Sequence, residues 1–131
     1  MLRLIRNIPP YLPTALVIIA ILYISLAPDP MPNEIPLLLF PGADKVIHFI
    51  MYGGLTGTFC FDYYRLGNCS KEGAALIVAT LIATAMGGAI ELIQDYMGIG
   101  RHSDYLDFIA NAAGAIVGIL AGRYWVKSCF K

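Results

Sequence analysis

Four apolar stretches, each about as long as a membrane-crossing helix, constrain this chain more than any other feature. A hydrocarbon core of about 30 Å takes roughly 20 helical residues. The stretches cover 8–27, about 44–63, 74–93 and about 105–126. The 131 residues are 58% hydrophobic and 14% charged, whereas a soluble domain carries about a quarter charged residues. The sequence therefore predicts a single all-α domain over 1–131, an integral membrane four-helix bundle.

The basic residues predict how these helices are oriented. Alternate assignment to the two sides puts seven on one side: Arg3, Arg6, Arg65, Lys71, Arg123, Lys127 and Lys131. The other side holds only Lys45 and Arg101. Since basic loops stay in the cytoplasm, both termini are predicted to be cytoplasmic, in a multi-pass protein of the bacterial inner membrane. Nine acidic side chains balance nine basic ones, which gives no indication of a nucleic-acid partner.

The first apolar stretch has a second interpretation. A basic start, an apolar run and the small residues Ser25-Leu26-Ala27 resemble a signal peptide with its cleavage site. Pro28 would follow the cut, and proline is poorly suited to that position. An uncleaved first helix is therefore favoured.

The cysteines indicate no special chemistry. Cys60, Cys69 and Cys129 fall in or near the predicted cytoplasmic half, where thiols stay reduced. Their number is odd and their spacing matches no metal site. The sequence therefore predicts unpaired thiols and neither a metal nor a cofactor.

Small residues recur at the spacing that lets membrane helices approach closely. The pairs four residues apart are Gly53 and Gly57, Ala83 and Gly87, Gly114 and Gly118, and Gly118 and Gly122. This pattern is common in membrane helices. It predicts a closely packed bundle without indicating a function.

Polar residues gather where the second span begins, the third ends and the fourth begins. They are Asp44, Lys45, His48 and Tyr52 on the second span; Glu91, Gln94 and Asp95 on the third; and Asp104, Asp107 and Asn111 on the fourth. With cytoplasmic termini, all three ends lie outside at one depth. Ionisable residues within membrane segments are costly and often functional, so an outward-facing polar site is predicted. The opposite halves of these spans show little comparable polarity.

Each of these residues also has a purely structural interpretation. The structural roles are a helix N-cap for Asp104, an interhelical hydrogen bond for Asn111, a core position for His48, a headgroup contact for Lys45, and an ion pair of Arg101 with Asp44 or Asp107. Each role is reasonable alone. Together they explain poorly why all these residues lie at one end.

Three stretches resemble the VanZ-like membrane proteins: "LYISLAPDPMP", "ADKVIHFIMYGGL" and "ELIQDYMGIGRHSDYLDFIANAAGAIVG". The family pattern falls on Ser25, Leu26, Pro28, Asp44, Lys45, His48, Phe49, Tyr52, Glu91, Gln94, Arg101, Asp104, Asp107, Asn111, Gly114 and Gly118. The resemblance covers nearly the whole chain beyond residue 20. It implies a small bacterial membrane protein of a family named after an accessory protein that gives low-level teicoplanin resistance. A family name alone supplies no mechanism.

The first function hypothesis is a site that binds or processes a lipid headgroup or a lipid-linked envelope precursor. Arg101 and Lys45 would hold an anionic group, while His48, Glu91 and Asp107 are candidate acid/base catalysts. The other candidate ligand-binding residues are Asp44, Tyr52, Gln94, Asp104 and Asn111. Such a site would affect susceptibility to glycopeptides, and a glycopeptide is itself a candidate partner. No Gly-x-Ser-x-Gly or His-Glu-x-x-His motif identifies a reaction, so enzymatic activity stays open.

Three alternatives remain at this point. The polar cluster could be a non-catalytic network that holds the helices together. A transporter is less favoured, because polar groups do not extend through the cytoplasmic halves. A divalent metal on Asp104, Asp107 and Glu91 would find suitable oxygen ligands, but a site without metal is predicted.

The spacing also predicts where the charged residues point. Asp107 lies a turn below the start of its helix and is expected to face His48 or Lys45 on the second span. Arg101 is expected at the mouth, beside Glu91 or Asp44. We expect Asp107, Asn111, Glu91, His48 and Lys45 to line one connected cavity that opens outward.

Overall fold

A computed structural model describes residues 2–26, 43–68, 70–98 and 105–130 of the chain. These residues contain helices and no strand, which confirms the all-α prediction. The helices are α1 (Leu2–Arg6), α2 (Leu12–Leu26), α3 (Ala43–Arg65), α4 (Glu72–Met97) and α5 (Tyr105–Ala121), followed by a π-helical segment (Gly122–Val126) and α6 (Lys127–Cys129). The last three form one continuous helix of 25 residues.

The first predicted span is shorter than expected. A helix over 8–27 was predicted, but α2 begins only at Leu12 and has 15 residues, roughly 22 Å of helix. Pro9 and Pro10 lie in the turn before it, and Tyr11 has a left-handed backbone with φ of 56°. Proline lacks an N–H donor, and a left-handed residue interrupts a right-handed helix. Helices α1 and α2 therefore do not form one continuous helix.

The other three helices contain the predicted spans and extend beyond them. Helix α3 has 23 residues and α4 has 26, and α4 ends where Gly98 adopts a left-handed conformation with φ of 60°. Such a glycine is a common helix C-cap. Helix α3 is the central helix, because it packs most extensively on α5 and also contacts α2 and α4.

Glycines allow α3 and α5 to pack backbone to backbone, as the small-residue spacing predicted. A Cβ atom at Gly114 would collide with the backbone oxygen of Phe49, and one at Gly118 would collide with Gly53 and Thr56. The Thr56 hydroxyl donates to the Ala115 carbonyl oxygen across this contact at 2.9 Å. Close approach and an interhelical hydrogen bond therefore occur together.

Within the described part of the chain, two helices are long and apolar enough to cross a membrane: Glu72–Met97 and Tyr105–Cys129. Most of their residues are not buried inside the bundle. Large apolar side chains such as Ile77, Leu81 and Leu120 are more than half exposed. Contiguous exposed apolar surface of this kind needs a lipid or protein environment. The two helices thus support the assignment of the chain as a membrane protein.

Candidate functional site

Three helix ends bring five polar side chains together. Lys45 and His48 come from the start of α3, Glu91 from the end of α4, and Asp107 and Asn111 from the start of α5. We call these residues the five-residue network.

Asp107 joins α5 to α3 within this network. The Lys45 Nζ atom lies 3.5 Å from Oδ1 of Asp107, and the His48 Nε2 atom lies 4.0 Å from its Oδ2. The prediction that Asp107 faces the second span is confirmed. A carboxylate at this depth keeps its charge at lower cost when cations face it.

Asn111 connects the other members. Its side chain is fully buried, with Oδ1 2.9 Å from the His48 Nδ1 atom. Its Nδ2 group donates to Oε1 of Glu91 at 3.2 Å. Gly87 on α4 makes room for it, since a Cβ atom there would lie 2.6 Å from the Asn111 Nδ2 atom. The glycine at position 87 therefore allows Asn111 to bridge α3 and α4.

The hydrogen bonds of Asn111 determine which nitrogen of His48 carries a proton. Because Nδ2 donates to Glu91, Oδ1 is the acceptor, and His48 must donate from Nδ1. In the neutral ring, Nε2 then holds the lone pair. Since Nε2 is turned toward Asp107, it is the atom at which His48 can take up or release a proton.

Exposure decreases along the network from Lys45 inward. The Lys45 side chain is 33% exposed and that of Asp107 is 11% exposed, while Glu91 and Asn111 are buried. Lys45 is therefore the most exposed member of the network, and Asn111 is the most deeply buried. The arrangement can hold an anionic group at an ammonium ion and place a histidine nitrogen beside it.

Two other predicted site residues, Tyr52 and Gln94, have contacts that pack the helices together. The Tyr52 side chain is 1% exposed, and its Cζ atom would lie 3.1 Å from a Cβ atom at Gly87, so the ring fills the core between α3 and α4. Gln94 is buried and donates from Nε2 to the Ser25 carbonyl oxygen at 2.6 Å, which ties α4 to the end of α2. Asp95 is exposed and lies outside the network.

Three predicted residues fall outside the described part of the structure. These are the side chain of Asp44 and the residues Arg101 and Asp104. Residues 27–42 and 99–104, which adjoin the site in sequence, are also outside it. The outward-opening cavity and its mouth therefore stay predictions.

The sequence interpretation missed a buried ion pair at the opposite end of α3. Arg65 Nη2 donates to Oδ1 of Asp62 at 2.6 Å, and both side chains are buried. Oδ2 of Asp62 also accepts hydrogen bonds from the backbone N–H and hydroxyl of Thr14. The guanidinium further donates to the carbonyl oxygens of Ile5, Ile8 and Pro9. The expectation of little polarity in this half was wrong, and the i,i+3 spacing of an acid and a base was the available signal.

A transporter was less favoured because the cytoplasmic halves of the predicted spans were expected to lack polar groups. Polar groups in fact occur at both ends of α3, so this reason for disfavouring a transporter no longer holds. A buried apolar cluster separates the two ends, however, and includes Leu55, Ala83 and Ala115. The structure thus shows two separate polar groups with an apolar layer between them.

A second missed cluster surrounds Glu72 at the start of α4. Its carboxylate accepts a hydrogen bond from Lys127 Nζ at 2.7 Å and from the Tyr64 hydroxyl at 2.9 Å. The Arg123 Nε atom lies 3.3 Å from the same carboxylate. Two cations therefore share one carboxylate where α4 meets the end of the last helix.

Comparison with known families places the chain in one group of proteins. The family model described as VanZ/LLP1 matches residues 4–126. The chain belongs to the VanZ/LLP1 family. The matched range contains all five residues of the network, so in this VanZ/LLP1 chain the site is part of the family domain. No curated protein matches the chain, and no solved structure matches it.

Proposed function

We propose that the five-residue network is the outward-facing site of a four-span membrane protein and binds the polar headgroup of a lipid or of a lipid-linked envelope precursor. The observation that carries this proposal is the graded access from the partly exposed Lys45 to the buried Glu91. Three helices contribute ionisable groups to one end of an otherwise apolar bundle. Such groups are costly within a membrane and are commonly retained for function.

The charge difference between the two ends supports cytoplasmic termini. Described basic side chains at the end opposite the network are Arg3, Arg6, Arg65, Lys71, Arg123 and Lys127. Described acidic side chains there are Asp62 and Glu72. At the network end the described basic side chain is Lys45, and the described acidic ones are Glu91, Asp95 and Asp107. The more basic end of a membrane protein faces the cytoplasm. We place the network on the outer side of the bacterial inner membrane on this basis.

The chemistry proposed for the site follows from its geometry. Lys45 would exchange part of its contact with Asp107 for a contact with a phosphate or another anionic part of the headgroup. A lysine can do so because its ammonium ion is a compact charge on a flexible side chain. His48 presents Nε2 at the same place and can exchange a proton there, with Glu91 and Asn111 fixing the ring. Binding of an envelope lipid would alter the surface that glycopeptides meet, which connects the site to teicoplanin susceptibility.

A structural role is the second candidate, and one observation favours it. Asn111 is fully buried and bonded to both His48 and Glu91, as in a network that fixes the helix packing. Interhelical hydrogen bonds of this kind contribute about 0.6 kcal/mol on average. A structural network would lose stability on substitution, whereas a binding site would lose function at unchanged stability.

The proposal is tested with Asp107→Asn and His48→Ala in a bacterial host whose teicoplanin susceptibility responds to the wild-type protein. Asp107→Asn keeps the side-chain shape, so we expect normal folded yield and loss of the effect on susceptibility. Asp95→Asn removes an exposed carboxylate outside the network and is the matched control. If the effect on teicoplanin susceptibility falls only in proportion to the folded yield, the structural role would be favoured. Wild-type activity in both network variants would contradict the proposal.

A further inference from the structure

A groove lies between α4 and the last helix, at the end of the bundle away from the five-residue network. Its volume is about 310 Å³. The buried side chains of Leu76 and Ile119 form its floor. Ile77 and Leu81, each 63% exposed, and Leu120 form its walls. An apolar groove with exposed walls on a membrane protein is suited to binding a hydrocarbon chain.

Positive charge lies at the mouth of this groove. Arg123 lines the groove, and its side chain is 60% exposed. It shares the Glu72 carboxylate with Lys127, so two cations face one anion. The local excess of one positive charge therefore adjoins the apolar surface.

We propose that this groove binds one anionic phospholipid, with an acyl chain between α4 and the last helix and the phosphate on Arg123. An arginine guanidinium offers paired N–H donors that match phosphate oxygens. Glu72 holds the Arg123 side chain near the groove while leaving most of it accessible. Anionic phospholipids attract basic side chains at the membrane surface.

A second copy of the chain is a less suitable occupant of the groove. In a parallel dimer formed through this face, the copies would bring the same pair of cations, Arg123 and Lys127, to the same depth. The excess positive charges would then repel each other. An anionic lipid neutralises this charge instead.

Native mass spectrometry of the protein from micelles with equal amounts of phosphatidylglycerol and phosphatidylcholine tests the proposal. We expect the wild type to retain one phosphatidylglycerol molecule in preference to phosphatidylcholine. Arg123→Gln should weaken that preference about fivefold, the effect of one basic side chain at a membrane surface. Ile77→Trp should reduce retention of both lipids, because the indole fills the groove.

Two variants serve as matched controls. Arg3→Gln removes an exposed cation from the same end, and Val117→Trp adds an indole to an exposed position of α5 outside the groove. Both should retain phosphatidylglycerol as the wild type does. Melting temperatures establish that each variant is folded, and Leu81→Trp replaces Ile77→Trp if the latter is not.

Three results would overturn the proposal. The first is equal retention of the two lipids by the wild type. The second is a loss in Arg123→Gln no larger than that in Arg3→Gln. The third is a dimer mass in the wild type that disappears in Ile77→Trp, because the groove would then belong to a second copy of the chain.

Discussion

Adding one methyl group at Gly118 should destabilise the bundle, although the same change usually stabilises a helix. A Cβ atom at Gly118 would collide with the Gly53 backbone oxygen and with the Thr56 hydroxyl. Backbone atoms cannot turn away, so α3 and α5 must separate, which also weakens the hydrogen bond from Thr56 to Ala115. Overpacking of this kind costs about 1–3 kcal/mol. Alanine gains only about 0.5–1 kcal/mol over glycine in a helix interior, so the net effect of Gly118→Ala is destabilising.

Gly54→Ala is the matched control on the facing helix. In the described part of the chain, no atom beyond the neighbouring residues and the backbone of α3 lies within 4 Å of a Cβ atom at Gly54, so only the helix-forming gain of about 0.5–1 kcal/mol remains. The two variants should therefore change the stability in opposite directions.

The buried thiol of Cys60 provides the assay. Its side chain is 0% exposed, so a thiol-reactive dye reaches it only on unfolding. In a Cys69→Ser and Cys129→Ser background, the melting temperature in detergent should fall for Gly118→Ala and stay equal or rise for Gly54→Ala. An unchanged or higher melting temperature for Gly118→Ala would refute the close packing of α3 on α5.

Three further predictions concern the two polar ends and the orientation. Asp62→Ala should destabilise the protein by about 3–5 kcal/mol in the same thermal assay, because it leaves the buried Arg65 without its carboxylate; a loss below 1 kcal/mol would contradict the importance of this pair. In a His102→Gln background, nitrogen NMR at a pH where the ring is neutral should show His48 protonated on Nδ1, whereas protonation on Nε2 would contradict the assigned network. A membrane-impermeant thiol reagent should label Asn33→Cys in intact cells and leave the exposed Cys129 unlabelled. Labelling of Cys129 but not of Asn33→Cys would show the opposite orientation in the membrane.

The sequence predicted the relations that depend on residues close together in one helix. Spacing along one helix put Asp107 and Asn111 on one stripe, and the predicted topology put that stripe at the same end as Lys45 and His48, where the structure brings them together. Some contacts that depend on how two helices cross were not predicted. The core position of Tyr52 depends on the space above Gly87, which the sequence of α3 alone does not reveal.

The buried charges at the other end show the same limit. Asp62 lies near the end of a predicted span, where a charged side chain ordinarily faces water. Its burial depends on Thr14 of α2, 48 residues earlier. Likewise, Glu72 meets Lys127 only because the end of the last helix crosses the start of α4, 55 residues away. Such pairings require the packing of the whole bundle.

The five-residue network is proposed to bind a lipid headgroup or a lipid-linked precursor. Native mass spectrometry of protein purified from bacterial membranes measures this directly, by the mass of the retained lipid. We predict that the wild type, Asp95→Asn and Arg123→Gln retain a headgroup-bearing lipid that Asp107→Asn and His48→Ala lose, with an unchanged melting temperature in Asp107→Asn. The same set of lipids on all five proteins would contradict the claim.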